Sequence, residues 1–322
     1  MKVLVTGAAG FIGRAVCEQL LARSDVSVVA VDNLNDYYAV ELKQARLETL
    51  LGRPGFDFHK IDLSDWDRVD DLFRTHEFDY VIHLAAQAGV RYSIRNPHAY
   101  AQSNLIGMTN VLEACRRYPV KHLLFASSSS VYGKNAKVPF AEDDRTDEPV
   151  SFYAATKKAN EVMAFSYAHL YGLPITGLRF FTVYGPWGRP DMAPWMFSEA
   201  ILRGETIRVF NHGQLQRDFT YIDDIVEGVL RVMELIPQKS VPYELFNIGN
   251  NSPVALMDFI RSVERACGCE AVKEFLPMQD GDVPITYADT SKLHAAVGFT
   301  PGTSLDEGMQ RFVAWFRNHY GL

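Results

Sequence analysis

Residues 2–13 have the sequence KVLVTGAAGFIG, and this stretch decides the fold of the chain. A short aliphatic run ends in a turn that contains Gly7, Gly10 and Gly13, and an amphipathic run over 11–22 follows. Glycines let the backbone turn tightly and present bare N–H groups to a pyrophosphate at the N-terminus of the next helix. The stretch therefore predicts a strand, a phosphate-binding turn and a helix. The alternative is a structural turn that binds no ligand.

An acidic residue, Asp32, ends the second predicted strand at the interval of about 20 residues that dinucleotide-binding units show. Its carboxylate can accept hydrogen bonds from both ribose hydroxyls of adenosine and would repel a 2′-phosphate, and Asn33 follows it instead of an arginine. The pattern favours NAD over NADP as the cofactor. Asp62 follows the third predicted strand, and two interpretations stay open. It either contacts the adenine edge or caps the helix that begins near Asp65.

Short β-branched runs alternate with longer amphipathic runs through the first half of the chain. Strands are predicted over 2–5, 26–31, 56–61, 80–84, 122–126 and 175–178, and helices over 11–22, 68–74, 104–117 and 153–171. This alternation predicts an α/β protein with a Rossmann-type, doubly wound parallel sheet, covered by helices on both faces. The ligand is expected beyond the carboxyl ends of the strands, where the strand order reverses.

The alternation of predicted strands and helices becomes irregular after residue 180. We expect an NAD-binding Rossmann domain over 1–180 and a smaller C-terminal α/β substrate-binding region over 181–322. A helix over 195–203 and strands over 207–210 and 218–221 are predicted in the second region. Residues 222–250 are expected to rejoin the first domain, because 223–235 predicts a helix and 243–248 a strand. The amphipathic stretch 305–320 is expected to cap the fold.

Composition limits the partners of the chain. A formal net charge of -7 over 322 residues gives no general attraction for nucleic acid. Cys17, Cys115, Cys267 and Cys269 are too few and too scattered for a disulfide framework, and the Cys-x-Cys pair lacks nearby thiol or imidazole partners, so we expect no metal. A run of about 18 apolar residues is absent from the sequence, and Met1 leads directly into the first strand. We therefore expect a cytoplasmic protein that does not enter membranes.

Tyr153 and Lys157 form a Y-x-x-x-K pair, whose spacing places the phenol and the ammonium on one face of a helix. A free tyrosine, with a pKa of about 10, is a poor base at neutral pH, but an adjacent cation favours the phenolate. Chance matches to this pattern are common. Its position, downstream of the glycine turn and of the serine run 127–130, indicates a catalytic pair, because a serine hydroxyl there can relay a proton from a reacting hydroxyl.

Six segments together resemble the extended short-chain dehydrogenase/reductase family: TGAAGFIG, HLAAQAG, SSSSVYG, YAATK, RFFTVYGP and RDFTYIDDI. The similarity runs from residue 4 to about 226, and NIGN at 247–250 extends it. The resemblance implies that Ser128, Tyr153 and Lys157 form a catalytic triad, with Lys157 also binding the nicotinamide ribose. The implied NAD contacts are Gly7, Gly10, Phe11, Ile12, Gly13, Asp32, Asn33, Asp62, Leu63, Leu84, Ala85, Ala86, Asn104, Tyr153, Lys157 and Phe180.

The two positions after the catalytic serine separate reactions within this family. Dehydratases place Asp-Glu there and UDP-glucuronate decarboxylases place Glu at the second position, whereas this chain has Ser129 and Ser130. This difference favours an epimerase, which needs no additional carboxylate. The segments DNLNDYY, QAGVRYS and YGPWGRPDM are similar to UDP-glucuronate 4-epimerases. The implied contacts to the UDP-sugar are Gln87, Arg91, Ser128, Ser129, Thr182, Arg189, Arg217 and Asp282.

Several alternatives stay open. A UDP-glucose or UDP-N-acetylglucosamine 4-epimerase is possible on the same scaffold, although Thr182 stands where the glucose enzymes usually carry Asn. A non-catalytic NAD-binding sensor is disfavoured because the tyrosine and lysine are both present. Arg189 can be a loop residue bonded to Asp191, and Arg217 can form an ion pair with Asp218 or Asp223. The resemblance also implies a homodimer through 104–117 and 153–171, although the apolar residues there fit a core equally well.

Overall fold

The computed structural model describes residues 1–279 and 283–322. These residues form two compact units. The first comprises Met1–Gly133, Arg145–Arg179 and Val226–Phe246, and the second comprises Lys134–Asp144, Phe180–Ile225 and Asn247–Leu322. The segment Lys134–Asp144 therefore belongs to the second unit, although it precedes the last helix and strands of the first. Within the described residues, every helix is too short or too polar to cross a membrane.

The strands of the described residues alternate with helices as expected. In chain order the strands are β1 (Lys2–Thr6), β2 (Ser27–Asp32), β3 (Phe56–Lys60), β4 (Tyr80–His83), β5 (His122–Ser128), β6 (Ile175–Phe180), β7 (Thr182–Tyr184), β8 (Thr206–Val209), β9 (Gln216–Tyr221), β10 (Tyr243–Ile248), β11 (Pro253–Ala255) and β12 (Val272–Phe275). The helices are α1 (Phe11–Leu20), α2 (Val40–Glu48), α3 (Trp66–Thr75), α4 (Val90–Arg95), α5 (Pro97–Tyr100), α6 (Gly107–Arg117), α7 (Phe152–Tyr171), α8 (Ala193–Leu202), α9 (Ile222–Glu234), α10 (Leu256–Cys267), α11 (Ser291–Val297) and α12 (Leu305–Tyr320).

A seven-stranded sheet in the order β10-β6-β5-β4-β1-β2-β3 forms the centre of the first unit. β1 pairs in parallel with β2 and with β4, and the pairs β2–β3 and β4–β5 are also parallel. Val3, Leu4 and Val5 of β1 are fully buried, as expected of a parallel strand that is covered on both faces. The predicted Rossmann-type sheet is confirmed. Its strand order reverses between β1 and β4, and a ligand is expected at the carboxyl ends of these two strands.

Helix boundaries follow local capping signals. The Ser151 hydroxyl accepts a hydrogen bond from the backbone N–H of Ala154 and starts α7, and Gly172 ends that helix in the left-handed conformation. The helix predicted over 104–117 is partly wrong. Residues Ala101–Ile106 form a π-helix, and the α-helix begins only at Gly107. Short π-helices often mark functional sites because they redirect side chains.

The second unit contains a three-stranded sheet in the order β11-β9-β7 and a two-stranded sheet of β12 and β8. β9 runs antiparallel to β11 and parallel to β7. The rings of Phe219 on β9 and Phe259 on α10 stack at 4.4 Å between centroids. Phe316 on α12 packs edge-on against Trp195 on α8 at 5.0 Å. Buried aromatic rings therefore pack one helix of this unit on its sheet and two of its helices on each other.

Candidate active site

The glycine turn leaves its backbone bare because side chains do not fit there. Gly7 has a φ of +73°, and a Cβ atom on it would lie 2.7 Å from the backbone nitrogen of Ala85. A Cβ atom on Gly13 would lie 2.1 Å from the carbonyl oxygen of Gly7. The Gly7 N–H donates to the carbonyl of Val31 at 2.7 Å, which fixes the turn against β2. The turn leads directly into α1, as a pyrophosphate-binding turn requires.

Asp32 lies at the end of β2, beside this turn. One of its carboxylate oxygens accepts the N–H of Ala9 at 3.1 Å, and the other accepts the N–H of Leu34 at 2.8 Å. Burial raises the pKa of Asp32, while these N–H groups and the nearby cations Lys43 and Arg46 oppose the rise. The carboxylate is thus held in position by the backbone on both sides.

Lys43 and Arg46 of α2 are site residues that the sequence analysis missed. Both are buried. Lys43 Nζ donates to the backbone and side-chain oxygens of Asn35 at 2.6 and 2.7 Å. Arg46 donates to the carbonyl of Ala9 at 3.2 Å and to the hydroxyl of Tyr38 at 2.6 Å. Arg46 therefore ties the loop after β2 to the glycine turn, and Lys43 holds that loop at Asn35. The available signal was their spacing of three residues in LKQAR, shortly after Asp32.

The cap interpretation of Asp62 is wrong, because Asp65 is the N-cap of α3 and accepts the N–H of Arg68. Asp62 instead accepts the amide of Asn33 at 3.0 Å and both the N–H and the hydroxyl of Ser64, at 2.9 and 2.7 Å. Burial alone would raise the pKa of Asp62, but the bonds from Asn33 and Ser64 outweigh it and lower the pKa. The structure therefore brings together Asn33 and Asp62, two of the predicted cofactor residues.

The carboxyl ends of β1 and β4 meet at the switch point. The Thr6 hydroxyl lies 2.8 Å from Nδ1 of His83 and accepts the N–H of Ala85 at 3.2 Å. Burial lowers the pKa of His83 to about 3, and the charge of Lys157 lowers it further. The imidazole is therefore neutral at physiological pH. His83 was not predicted as a site residue, although it begins the HLAAQAG segment.

Asn104, in the π-helix, joins the loop after β4 to α7. Its side-chain oxygen accepts the N–H of Gln87 at 2.8 Å, and its amide donates to the Gln87 carbonyl at 3.1 Å and to the Thr156 hydroxyl at 3.0 Å. The Asn104 carbonyl accepts the amide of Asn160 at 2.7 Å. Gln87 is predicted to contact the sugar and Asn104 the cofactor, so the structure links these two site residues directly.

Tyr153 and Lys157 lie in the first turns of α7. The Tyr153 ring packs edge-on against Tyr100 at 6.0 Å between centroids. Lys157 Nζ donates to the carbonyl of Ala126 on β5 at 2.7 Å, and burial lowers the pKa of Lys157 to about 8. A buried lysine that still carries its proton near neutral pH can stabilise a phenolate on the same face of the helix.

Ser128 ends β5 two residues after Ala126 and is buried. Its hydroxyl accepts the N–H of Ser130 and contacts the Ser130 hydroxyl, both at 3.2 Å. Ser129 and Ser130 open a short 3₁₀ turn that continues to Tyr132. Ser128 and the carbonyl that Lys157 bonds thus lie two residues apart at the end of β5, and the catalytic triad stays a prediction.

The predicted substrate residues of the second unit lie on β7, on β9 and in the loop before α8. Thr182 begins β7 and is partly buried. Arg189 donates from Nε and Nη2 to the two carboxylate oxygens of Asp191, at 3.0 and 2.7 Å. The bond to Asp191, which was the alternative interpretation of Arg189, is thus observed in this structure. The role of Arg189 in substrate binding stays a prediction. Phe180 ends β6 and is buried, and Asp282 lies outside the described residues.

Arg217 donates from Nη1 to the carbonyls of Gln216 and Pro284, at 2.8 and 3.1 Å. The carboxylate of Asp218, one of the two ion-pair partners considered for Arg217, is fully buried and accepts backbone N–H groups of residues 250, 251 and 288.

In the first unit, Arg91 lies exposed in the first turn of α4. The Tyr92 ring beside it contacts Tyr37, 4.8 Å between centroids.

Asp57, His59 and His76 each offer one possible metal-ligand atom, and these atoms lie within 4.8 Å of one another. Asp57 and His59 project from the edge strand β3, and His76 follows α3. The imidazole of His59 pairs with the Asp57 carboxylate at 2.9 Å. The expectation of no metal was based on the cysteines, and it stays a prediction.

Residues 3–249 match the model of the NAD dependent epimerase/dehydratase family. The chain is 48% identical to UDP-glucuronate 4-epimerase 4 of Arabidopsis thaliana, over 99% of this chain and 76% of the relative. Its fold matches a crystal structure of UDP-glucuronic acid 4-epimerase from Bacillus cereus in complex with UDP-glucuronic acid and NAD, with a TM-score of 0.93, 34% identity and 99% and 100% coverage. It also matches UDP-glucose 4-epimerase from Thermotoga maritima with UDP-glucose, with a TM-score of 0.89, 34% identity and 99% and 100% coverage. The chain therefore belongs to the NAD dependent epimerase/dehydratase family.

Proposed function

We propose that this chain is an NAD-dependent epimerase that interconverts UDP-glucuronate and UDP-galacturonate at C4. The observation that carries the proposal is the arrangement at the end of β5. There Lys157 is buried against Ala126, beside Ser128 and on the same helix as Tyr153. The similarity to enzymes named UDP-glucuronate 4-epimerases supports the choice of sugar.

The first unit fits NAD at the glycine turn. The bare N–H groups around Gly7 suit a pyrophosphate, and the fixed carboxylate of Asp32 suits the adenosine ribose. Asn33 and Asp62 would meet the adenine. When bound, NAD accepts the hydride from C4 of the sugar and returns it. Because the cofactor is regenerated in each cycle, we expect it to stay bound to the protein between turnovers.

Tyr153 is the proposed base for the C4 hydroxyl. Its phenolate accepts the hydroxyl proton during oxidation and returns it during reduction. Lys157 stabilises the phenolate with its charge, and the Ala126 carbonyl holds the ammonium in place. Ser128 donates a hydrogen bond to the reacting oxygen and completes the triad. Burial increases each of these electrostatic effects, because the local dielectric constant is low.

The serines after Ser128 determine the type of reaction. Elimination of water from the sugar needs a second acid or base, and neither Ser129 nor Ser130 supplies one. The 4-keto sugar therefore turns about its pyrophosphate link and is reduced on its other face. Inversion at C4 is the expected result.

The second unit supplies the proposed contacts to the UDP-sugar. Arg217 would bind the diphosphate, and Arg189 would grip the glucuronate carboxylate with its planar guanidinium. The 4-keto intermediate is a β-keto acid, which loses CO₂ most readily when the bond to its carboxylate stands perpendicular to the carbonyl plane. A clamp that holds the carboxylate away from that orientation preserves the product. Asp191 holds Arg189 in the observed structure, so the substrate carboxylate must share or replace that contact.

We also propose that the enzyme is a cytoplasmic homodimer. Val162, Phe165 and Leu170 of α7 expose 58%, 49% and 66% of their surface, although they lie on a helix whose other face is core. A second copy that packs its own α7 against this face would bury these three side chains. A twofold interface joins the same surface of both subunits, so α7 of one copy would pack on α7 of the other. The four cysteines are free thiols, which supports a reducing compartment.

The proposal is tested by incubating the purified protein, without added NAD, with UDP-glucuronate, UDP-glucose and UDP-N-acetylglucosamine in parallel. NMR of the sugar anomeric signals then reports the product of each reaction. UDP-galacturonate should form much faster than either neutral epimer. A preference for UDP-glucose or UDP-N-acetylglucosamine would replace the proposed substrate, and a xylose-type product would indicate decarboxylation.

A further inference from the structure

A buried ion pair lies directly behind the catalytic strand end. Arg179, on β6, donates from Nε and Nη2 to the two carboxylate oxygens of Glu161, on α7, at 2.8 and 2.9 Å. The two side chains expose only 2% and 3% of their surface. Both groups are thus withdrawn from solvent and paired in the bidentate geometry that makes such contacts strong and directional.

The ion pair also holds the segment that carries the catalytic serine. The Ser127 hydroxyl donates to a carboxylate oxygen of Glu161 at 2.7 Å. Arg179 donates from Nη1 to the Tyr132 hydroxyl at 3.0 Å and lies over the Tyr132 ring at 4.9 Å. Because Tyr132 closes the 3₁₀ turn that follows Ser128, one network contacts both sides of that serine.

The same network contacts the helix that carries the base. Glu161 follows Lys157 by four residues, one turn along α7, so the two side chains project from the same face. Lys157 bonds the carbonyl of Ala126, and Glu161 bonds the next residue, Ser127. Two successive contacts therefore fix the register of α7 on the end of β5.

Stability alone does not explain a charged pair at this place. Removing two charges from water is unfavourable, and buried ion pairs are often no more stabilising than apolar residues of similar volume. Catalysis is more demanding, because a displacement of about 1 Å in a reacting group can lower a rate about 10²-fold. Directional bonds to a strand end and a helix restrict such displacements better than apolar packing does.

We infer that Glu161 and Arg179 are positioning residues for the proposed epimerisation: their buried pair sets the position of Ser128 relative to Tyr153 and Lys157. The inference rests on the proposed function. The pair is not placed in contact with the sugar or with the cofactor, since both side chains are buried.

The chain contains a matched control. At the opposite ends of β5 and β6, Nε2 of His122 lies 2.8 Å from the Thr176 hydroxyl, and both side chains are fully buried. This pair bridges the same two strands but lies far along them from Ser128. Thr176→Val therefore removes a buried hydrogen bond between these strands without disturbing the catalytic end.

The test compares Glu161→Gln, Arg179→Lys and Thr176→Val with the parent enzyme. Steady-state kinetics, bound NAD and the melting temperature are measured for each. Glu161→Gln should lower kcat by roughly 10- to 100-fold, with KM and NAD content within about threefold of the parent. Arg179→Lys keeps the charge and should be less impaired. Thr176→Val should lose stability while keeping kcat within about twofold.

A readout without turnover separates this inference from the proposed function. The phenol of Tyr153 is titrated by ultraviolet difference spectra against Tyr153→Phe in the same background. Its pKa should rise in Glu161→Gln, because the displaced helix no longer holds Lys157 against the strand, and it should not change in Thr176→Val. If the parent epimerises none of the sugars, the proposed function fails, and this titration alone decides the positioning role.

Two results would overturn the inference. One is a Glu161→Gln variant with a lower melting temperature but with the kcat and the Tyr153 titration of the parent. The role of Glu161 would then be structural only. The other comes from the double variant Glu161→Leu/Arg179→Met, which replaces the pair by apolar residues and remains informative if the single variants fold poorly. If this double variant folds, binds NAD and has the parent kcat, the hydrogen bonds of Glu161 and Arg179 are not needed to position Ser128.

Discussion

Lys157 Nζ donates a hydrogen bond to the carbonyl oxygen of Ala126 at 2.7 Å, two residues before Ser128 on the same strand. The contact fixes the ammonium, and burial lowers its pKa to about 8. A lysine carries its charge below its pKa and loses it above. We therefore predict that kcat/KM for UDP-glucuronate decreases as the pH rises through about 8, because the phenolate of Tyr153 loses its stabilising cation. A profile measured from pH 6 to 10 that stays flat on its alkaline side would contradict this assignment.

Tyr153→Phe removes the proposed base and leaves the ring in place against Tyr100. We expect turnover to fall by about 10²- to 10⁴-fold, while NAD and UDP-glucuronate still bind, as judged by absorbance and calorimetry. Tyr167→Phe is the control. That phenol lies further along α7, and its hydroxyl donates to the carboxylate of Glu113, which is partly buried. Activity of Tyr153→Phe within a few-fold of the parent would show that another group transfers the proton.

Gly7→Ala should abolish retention of NAD. The new Cβ would meet the backbone of Ala85, which cannot move away as a flexible side chain can. Gly52→Ala is a matched control, because Gly52 has a similar φ of +80° and no atom lies within 4 Å of the position that its new methyl group would take. Both variants carry the conformational strain of a left-handed alanine, about 1–2 kcal/mol. The parent and Gly52→Ala should be purified with NAD and turn over without added cofactor, whereas equal NAD content in all three proteins would refute the steric argument.

Arg189→Ala should weaken turnover of UDP-glucuronate by roughly 10- to 150-fold, because a charged hydrogen-bonded contact contributes about 1.5–3 kcal/mol. NAD binding should not change, and some 4-keto-pentose should form once the carboxylate is released. The measurement is kcat/KM on UDP-glucuronate and on UDP-glucose, with product analysis by NMR. Equal losses on both sugars would remove Arg189 as the group that recognises the carboxylate.

Asp191→Asn tests the same contact from the other side. The Asp191 carboxylate receives two bonds from Arg189 and so competes with a substrate carboxylate for one guanidinium. The neutral amide should compete less well, so KM for UDP-glucuronate should fall by a few-fold while KM for UDP-glucose stays the same. An increased KM for UDP-glucuronate would instead make Asp191 a support that holds Arg189 in its binding position.

The sequence predicted the parts of the fold that depend on local patterns. The glycine turn, Asp32 at the end of β2 and the alternation of strands and helices follow from spacing and periodicity, and the observed sheet reverses its strand order as expected. Residues that act through distant contacts were missed. His83 meets Thr6 across 77 positions, and Lys43 and Arg46 acquire their role only when α2 packs beside the glycine turn.

At two places the local structure differs from the sequence prediction or was left open by it, and the deciding contacts are again not visible in the sequence pattern. Asn104 lies in a π-helix, and its side chain bonds Gln87 and Thr156, which belong to other segments and are not visible in the periodicity of 104–117. Asp62 and Asp65 are both acidic residues near a helix start, and sequence alone did not separate them. The structure assigns the cap to Asp65, because its carboxylate reaches the N–H of Arg68.

The central claim, that one bound cofactor oxidises and re-reduces C4 of the sugar, is tested most directly with UDP-glucuronate deuterated at C4. The parent enzyme, with no NAD added, is incubated with this substrate in ordinary water, and the UDP-galacturonate formed is examined by NMR and mass spectrometry. The account predicts that the product keeps its deuterium at C4, because the atom removed from one face is returned to the other without contact with solvent. Loss of the deuterium to water, or product that forms only when NAD is added, would contradict it.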